Sequence, residues 1–223
     1  MSRLIAFSWL QFCVNIEFEY YEEHTSRIEK MYADEVSKLK KKIEIESENL
    51  EGFDKAEHFE SFGREFEYLY RIIPNIQRSS ELVSAYSLLE RNLIKLCEKL
   101  EEQSDNPVKM CDLESEGYIN QAIKYLEKVA RIYSPQKSDT WKEILLLQNI
   151  RNSFVHSNGM VKTGNSKLIK YIRDSEYLEL IQNNEVEIKE GFTKHCLLIF
   201  KEFFDMLFSM LEKKYDTKLR IVK

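Results

Sequence analysis

Glycine and proline are scarce in this chain of 223 residues, which contains 6 glycines and 3 prolines. Both residues interrupt helices, glycine through its conformational freedom and proline through its missing amide donor. Their scarcity, together with 43% hydrophobic and 32% charged residues, predicts long helices in a globular protein with a heavily charged exterior. The length suits one large domain, or one domain with an appendage.

Long apolar runs are also lacking. No run approaches the ~18 residues that a membrane-spanning helix requires. The apolar segment of residues 4–10 is short, is followed by acidic residues and lacks a small-x-small cleavage site, so it does not fit a signal peptide. We therefore expect a cytoplasmic protein that makes no contact with a membrane.

Cysteine and histidine, with 4 residues of each type, show none of the spacings that are typical of a metal site or a disulfide framework. Cys97 and Cys196 fall on apolar helical stripes and are predicted to lie in the core. The histidines are equally scattered along the chain. We therefore expect no metal, no cofactor and no disulfide.

Positive charge is not in excess, because the net charge is -5. The protein is therefore not a generally basic nucleic-acid binder, and contact with RNA requires a local groove. The best candidate lies between residues 160 and 173, where all charged side chains are basic and therefore suited to phosphate contact. A solvated loop without a ligand is the alternative. The candidate RNA-binding residues are Lys162, Lys167, Lys170 and Arg173.

Apolar residues at helical spacing predict a bundle of long antiparallel helices. The helix from about residue 79 carries a leucine-rich seam with 4-3-4-3-4 spacing, which is typical of packing in a bundle or a dimer. The aromatic residues within residues 59–73 indicate core packing, and Pro74 should end or kink their helix. The predicted helices cover residues 15–49, 59–73, 79–100, 119–133, 140–157 and 192–210.

Two short apolar segments, residues 177–181 and 185–188, flank Asn183-Asn184 and predict a small β-hairpin. The hairpin precedes the final helix. The predicted fold class is therefore all-α, with one hairpin inserted before the last helix of the bundle.

Residues 150–159, with the sequence IRNSFVHSNG, lie at the end of the fifth predicted helix. Thr140 and Glu143 form a capping box that predicts the start of this helix. Asn158-Gly159 predicts its end, because both residues tolerate the left-handed conformation that stops a helix.

A helical wheel places Arg151 on the apolar arc of this helix, where a guanidinium is costly unless a partner or a ligand anion meets it. Asn152 and His156 are neighbours on an adjacent polar strip. Arg151 and His156 are ~140° apart. In one chain, both side chains reach the same point only if the arginine side chain swings round. Otherwise a second copy of the helix must complete the site. The apolar arc consists of Ile144, Leu147, Ile150, Phe154 and Val155.

Arg151, Asn152 and His156, with four residues between the arginine and the histidine, resemble the signature of HEPN domains. These are all-α domains, many of which are metal-independent ribonucleases. In that family two protomers bring both Arg–His pairs into one cleft. The resemblance therefore implies a homodimer, RNA as a partner, and a toxin–antitoxin or antiviral defence setting with an antitoxin or defence partner protein.

The resemblance extends over roughly residues 79–214. It predicts a HEPN-like helical domain over residues 76–223, behind an N-terminal helical segment over residues 1–75 that carries no resemblance of its own. HEPN toxins that are silenced by a nucleotidyltransferase have a tyrosine two residues beyond the histidine. Asn158 occupies that position here, which argues against this kind of silencing.

The resemblance implies an endoribonuclease in which the RNA 2′-hydroxyl attacks its own phosphate and leaves a 2′,3′-cyclic phosphate. His156 suits proton transfer because imidazole gains and loses its proton near neutral pH. Arg151 suits the charged transition state because its fork matches phosphate oxygens. Asn152 would orient the imidazole or hold a phosphate oxygen.

Other interpretations of the motif are open. Arg151 could pair with a buried carboxylate while His156 interacts with the dipole at the helix C-terminus. The chain could also be a non-catalytic helical module in which both residues hold a nucleotide or a partner protein. A purely structural dimerisation protein is the third alternative.

Overall fold

A computed structural model describes residues 3–132 and 138–221, which are mostly helical. The helices are α1 Arg3–Glu46, α2 Gly52–Ser61, α3 Gly63–Glu67, α4 Ile73–Glu102, α5 Tyr118–Lys128, α6 Asp139–Ser157, α7 Ser166–Asp174 and α8 Phe192–Ile221. Shorter turns are the π-helix Tyr68–Ile72 and the 3-10 helices Met110–Asp112 and Gln182–Asn184. Strands β1 Leu178–Leu180 and β2 Val186–Ile188 pair antiparallel before α8. The prediction of an all-α bundle with a small hairpin before the last helix is confirmed.

The core lies where α4, α5, α6 and α8 meet the N-terminal part of α1. The leucine-rich seam of α4 faces this core, and each of its predicted residues is at most 3% exposed. The seam is therefore used for packing within the bundle of one chain rather than for a contact between two chains. No described helix is both long and apolar enough to cross a membrane.

Helix α1 is 44 residues long and starts well before the predicted residue 15. Its first half carries Phe7, Val14 and Phe18, which pack in the same core as α4 and α8. Farther along, Met31 is 62% exposed, whereas Leu39 and Ile43 on another face of the helix are buried. A domain boundary near residue 75 stays a prediction.

The aromatic helix predicted over residues 59–73 is divided into α2, α3 and the π-helix, and the prediction that its rings form core is wrong. None of the residues in these described elements is buried, and Tyr70 is 66% exposed. The segment packs mainly on the second half of α1 and the start of α4, so its rings have neighbours on one side only. Pro74 does not end a helix but lies in the first turn of α4, where its missing amide costs no hydrogen bond.

Helix α5 ends at Lys128, earlier than predicted, because Arg131 adopts a positive φ of 52°. The Ile132 amide then donates to the Leu126 carbonyl at 2.8 Å and closes the turn. The Ser134-Pro135 sequence, which also predicts the end of this helix, lies outside the described residues.

Helix α6 begins at Asp139, with Ser138 rather than Thr140 as its N-cap. The Ser138 hydroxyl accepts a hydrogen bond from the Trp141 amide at 3.0 Å. The predicted capping box is therefore wrong, because the Glu143 carboxylate is hydrogen-bonded to side chains of other helices.

Candidate functional site

The C-terminal end of α6 is held by Asn158 and Gly159, whose φ angles are 50° and 82°. The Gly159 amide donates to the Ser153 carbonyl at 3.0 Å, which confirms the predicted helix stop. The Val186 amide donates to the Gly159 carbonyl at 3.0 Å, so β2 anchors this turn. A Cβ on Gly159 would lie 3.0 Å from the Phe154 ring, so the position requires glycine for space as well as for its φ.

The Arg151 side chain is half-buried and turns toward α4. Its guanidinium carbon lies 6.0 Å from the centroid of the Tyr86 ring. Its Nη1 donates a hydrogen bond of 3.0 Å to the Oδ1 atom of Asn152. Its Nε is buried and has no hydrogen-bond partner among the described residues. An unsatisfied donor on a permanent cation costs free energy, and an anion satisfies it only when the side chain moves to expose Nε.

No carboxylate of residues 6–132 or 138–215, whose side chains the structure describes, forms an ion pair with Arg151. Glu90, one turn beyond Tyr86 on α4, is half-buried but makes no hydrogen bond to the guanidinium. The interpretation that Arg151 pairs with a buried carboxylate is therefore wrong for this structure.

Asn152 is half-buried and contacts Arg151 rather than His156. The Asn152 amide and the Arg151 guanidinium belong to adjacent residues, and the hydrogen bond between them orients the guanidinium. The prediction that Asn152 orients the imidazole does not match this hydrogen bond.

His156 is exposed and makes no hydrogen bond within the part of the chain that the structure describes. His156 lies in the last turn of α6, where a protonated imidazole interacts favourably with the helix dipole, and Asn158 occupies the C-cap position. Val155 beside His156 is 45% exposed, although it was assigned to the apolar arc. His156 therefore points into solvent while Arg151 turns toward Tyr86, as expected from their angular separation.

The basic residues after the motif are exposed, and half of the segment is helical rather than a loop. Leu168 and Ile172 bury one side of α7. Lys167, Lys170 and Arg173 are spaced by three residues, so they share an arc of roughly 120° on the other side. Within the described ranges, no ion pair is formed by Lys162, Lys167, Lys170 or Arg173. By contrast, Arg91, Lys95 and Lys99 of α4 each pair with a glutamate.

The four basic residues do not all lie near His156. Tyr171, close to the end of α7, donates a hydrogen bond to Glu143 in the first turns of α6. That point is about 20 Å along the axis of α6 from His156. Lys162 follows the motif directly, whereas Arg173 lies at the far end of the segment.

A side-chain cluster that the sequence analysis missed joins α6, α7 and α8. The Oε1 atom of Glu143 accepts a hydrogen bond from the Tyr171 hydroxyl at 2.9 Å and lies 3.1 Å from Nε2 of His195. The Tyr177 ring stacks on His195 with 5.2 Å between centroids. Burial, and then the charge of Glu143, raises the pKa of Tyr171, so the phenol stays protonated and donates.

These residues line a cavity of about 320 Å³. They come from three helices and from the loop before β1, so no local sequence pattern could have brought them together. The cluster fixes the first turns of α6 against its neighbours and thereby sets the orientation of the motif at the other end.

Cys97 and Cys196 are buried as predicted, and all cysteines are free thiols. Among the described residues, no group of three or more His, Cys, Asp or Glu side chains is placed to hold a metal ion.

Comparisons of the chain with protein-family models, with curated proteins and with solved structures gave no match.

Proposed function

We propose that this protein is a metal-independent endoribonuclease of the HEPN type. The observation that supports the proposal best is the state of Arg151, a half-buried guanidinium with an unsatisfied Nε and no carboxylate partner among the described residues. A guanidinium that no carboxylate neutralises is available to an anion, and the phosphate of RNA is the anion on which a His156 brought to the same cleft by a second copy would act.

The proposed reaction is transfer of the RNA phosphate to its own 2′-oxygen. His156 takes the proton of the 2′-hydroxyl, the 2′-oxygen bonds to phosphorus, and the bond from phosphorus to the 5′-oxygen breaks. The departing 5′-oxygen receives a proton from a second imidazole, which a partner protomer supplies. Arg151 stabilises the extra negative charge on the phosphate in the transition state.

Asn152 supports this reaction by holding Nη1 of Arg151. The guanidinium plane is then oriented before the phosphate arrives, which reduces the entropy that binding must overcome. The basic residues Lys162, Lys167, Lys170 and Arg173 would contact the flanking phosphates of the RNA.

The HEPN resemblance adds a homodimer and a toxin–antitoxin or antiviral defence setting to the proposal. The separation of Arg151 and His156 favours the dimer, because a second copy across a two-fold axis can bring its own motif to the same cleft.

A cleavage assay on RNA in the presence of EDTA tests the proposal. The wild-type protein should cleave, and His156→Ala should lose roughly 100-fold or more, as general acid–base residues typically do. A 2′-deoxy substitution at the cut site should block cleavage. Since His156 is exposed, the variant should keep the wild-type thermal transition.

The rival function is a non-catalytic module that binds a nucleotide or a partner protein through the same residues. The net charge of -5 favours it, and so does the lack of any hydrogen bond that would orient the His156 imidazole within the described chain. If purified His156→Ala cleaves RNA as fast as the wild type, the proposal of an enzyme is wrong and the binding module replaces it.

A further inference from the structure

Tyr86 is a core residue of α4 with an unsatisfied polar group. It is 3% exposed, and its ring meets the edge of Phe200 with 5.9 Å between centroids. Its hydroxyl is buried and has no hydrogen-bond partner among the described residues. Within the described chain the hydroxyl therefore adds no hydrogen bond that phenylalanine would lack, and what Tyr86 offers its neighbours is the ring.

The face of the Tyr86 ring is the surface on which Arg151 rests, at 6.0 Å from guanidinium carbon to ring centroid. An aromatic face attracts a cation through the quadrupole of the ring, and arginine is the cation most often found there. Burial raises the pKa of Tyr86 well above its ordinary value, so the ring stays neutral and the contact is not an ion pair.

We propose that Tyr86 is a positioning residue that holds the Arg151 guanidinium ready for an anion, an inference that rests on the proposed function for the identity of that anion as an RNA phosphate. A carboxylate partner would hold the arginine too, but it would occupy the N–H groups and cancel the charge. An aromatic face holds the cation without using any N–H group. Among the described residues only Asn152 accepts a hydrogen bond from the guanidinium, through Nη1, and Nε is buried, so the outer Nη groups are the donors that meet phosphate oxygens.

The test compares two substitutions of Tyr86 with a matched control. Tyr86→Phe keeps the ring, and Tyr86→Leu removes it. Tyr125→Leu is the control, because Tyr125 is 1% exposed in α5 and its removal disturbs the core equally without touching Arg151. Inorganic phosphate is the probe, and the Nε–H signal of Arg151 in NMR spectra is the reporter.

In the wild type, the ring current of Tyr86 should displace the Arg151 side-chain signals upfield, and phosphate should shift the Nε–H signal. Tyr86→Phe should keep both effects. Tyr86→Leu should lose the ring-current displacement and weaken phosphate binding roughly 2- to 30-fold, the range that a cation–π contact spans. Tyr125→Leu should bind phosphate like the wild type.

Cleavage kinetics give a second measurement. Tyr86→Leu should lower kcat/KM by a similar factor, because a misplaced guanidinium binds the RNA phosphate less well in the ground state and in the transition state. A wild type that does not cleave RNA defeats the proposed function, but the phosphate titration still decides the role of Tyr86. Undisplaced Arg151 signals in the wild type, or wild-type phosphate affinity in a folded Tyr86→Leu, would overturn the inference.

Discussion

At the scale of single residues, Arg151 combines a stability cost with a proposed function. Its buried Nε lacks a partner among the described residues, so replacing the guanidinium should not destabilise the fold. Arg151→Lys should therefore keep or raise the thermal transition. Its cleavage of RNA should fall by roughly 100-fold, because one ammonium cannot reproduce the guanidinium fork. Parallel thermal melts and single-turnover assays would check the two effects, and a lower melting temperature would indicate that Arg151 is structural.

Gly159 provides a second residue-scale prediction, about the turn that ends α6. Its φ of 82° disfavours any other residue, and a Cβ would press on the Phe154 ring at 3.0 Å. Gly159→Ala should cost about 1–2 kcal/mol of unfolding free energy, measured by urea denaturation.

Gly164→Ala is the matched control for that turn. No atom lies within 4 Å of a Cβ at this position, and its φ is not in the left-handed region. Its stability should stay within about 0.5 kcal/mol of the wild type or rise slightly. Equal losses of unfolding free energy in both variants would show that the positive φ and the close Phe154 ring at Gly159 add nothing to the cost.

At the scale of elements, α7 exposes a basic face whose role can be separated from folding. Reversing Lys167, Lys170 and Arg173 to glutamate should weaken RNA binding and flatten its dependence on salt, by roughly 0.7 in logarithmic slope per lost phosphate contact. The thermal transition should not change, because all three side chains are exposed. Salt titrations of RNA binding would measure the slope.

The control for this face is the same number of reversals at exposed lysines away from α7. Lys30, Lys41 and Lys55 meet that condition on α1 and α2. The control variant changes the net charge equally and should affect RNA binding much less. An equal loss of RNA binding in both variants would mean that the α7 face acts only through the overall charge of the protein.

One carboxylate of α1 meets three side chains of α4. Glu17 accepts hydrogen bonds from Lys95 at 2.9 Å, Asn92 at 3.0 Å and Arg91 at 3.0 Å. Burial acts to raise the pKa of Glu17, but these three bonds outweigh it and lower the pKa below its ordinary value. A lowered carboxyl pKa adds stability above the unfolded-state pKa, and this contribution is lost as the pH falls through the folded-state value.

Glu17→Ala should therefore destabilise the protein at neutral pH, by about 1–3 kcal/mol, because it leaves the buried Asn92 amide without an acceptor. The difference from the wild type should narrow as the pH falls from the unfolded-state pKa of about 4.3 through the lower folded-state pKa, because protonation removes the charge of Glu17. Urea denaturation at several pH values would measure both. A difference that is constant with pH would mean that the charge of Glu17 contributes nothing.

At the scale of the whole molecule, the separation of Arg151 and His156 makes assembly the main question. Light scattering should report a dimer of the 26.7 kDa chain at working concentrations. Mixing wild-type protomers with an excess of His156→Ala protomers should lower cleavage well below that of the wild-type protomers alone, because the proposed reaction needs one His156 imidazole from each copy. A monomer, or cleavage that the added variant leaves unchanged after subunit exchange, would count against a shared cleft.

Some of this fold could be predicted from the sequence because the relevant interactions are local. Helix α8, the leucine-rich face of α4 and the hairpin follow from the spacing of apolar residues and from asparagines that tolerate a left-handed conformation. The end of α6 at Asn158-Gly159 is equally local, since a helix stop depends only on the last turn. The start of α6 was harder to predict. Thr140 with Glu143 fits a capping box and Ser138 fits an N-cap, and only the tertiary structure shows that Ser138 caps the helix.

The sequence by itself determined which residues share a face of each helix, and therefore that Arg151 stands on an apolar arc apart from His156. Only the tertiary structure decided what that face meets, because helical periodicity carries no information about the neighbouring helix. It placed the Tyr86 ring, and no carboxylate of the described residues, beside Arg151. It also left the aromatic side chains of α2 and α3 outside the core, since burial depends on what packs against a helix as well as on its own pattern.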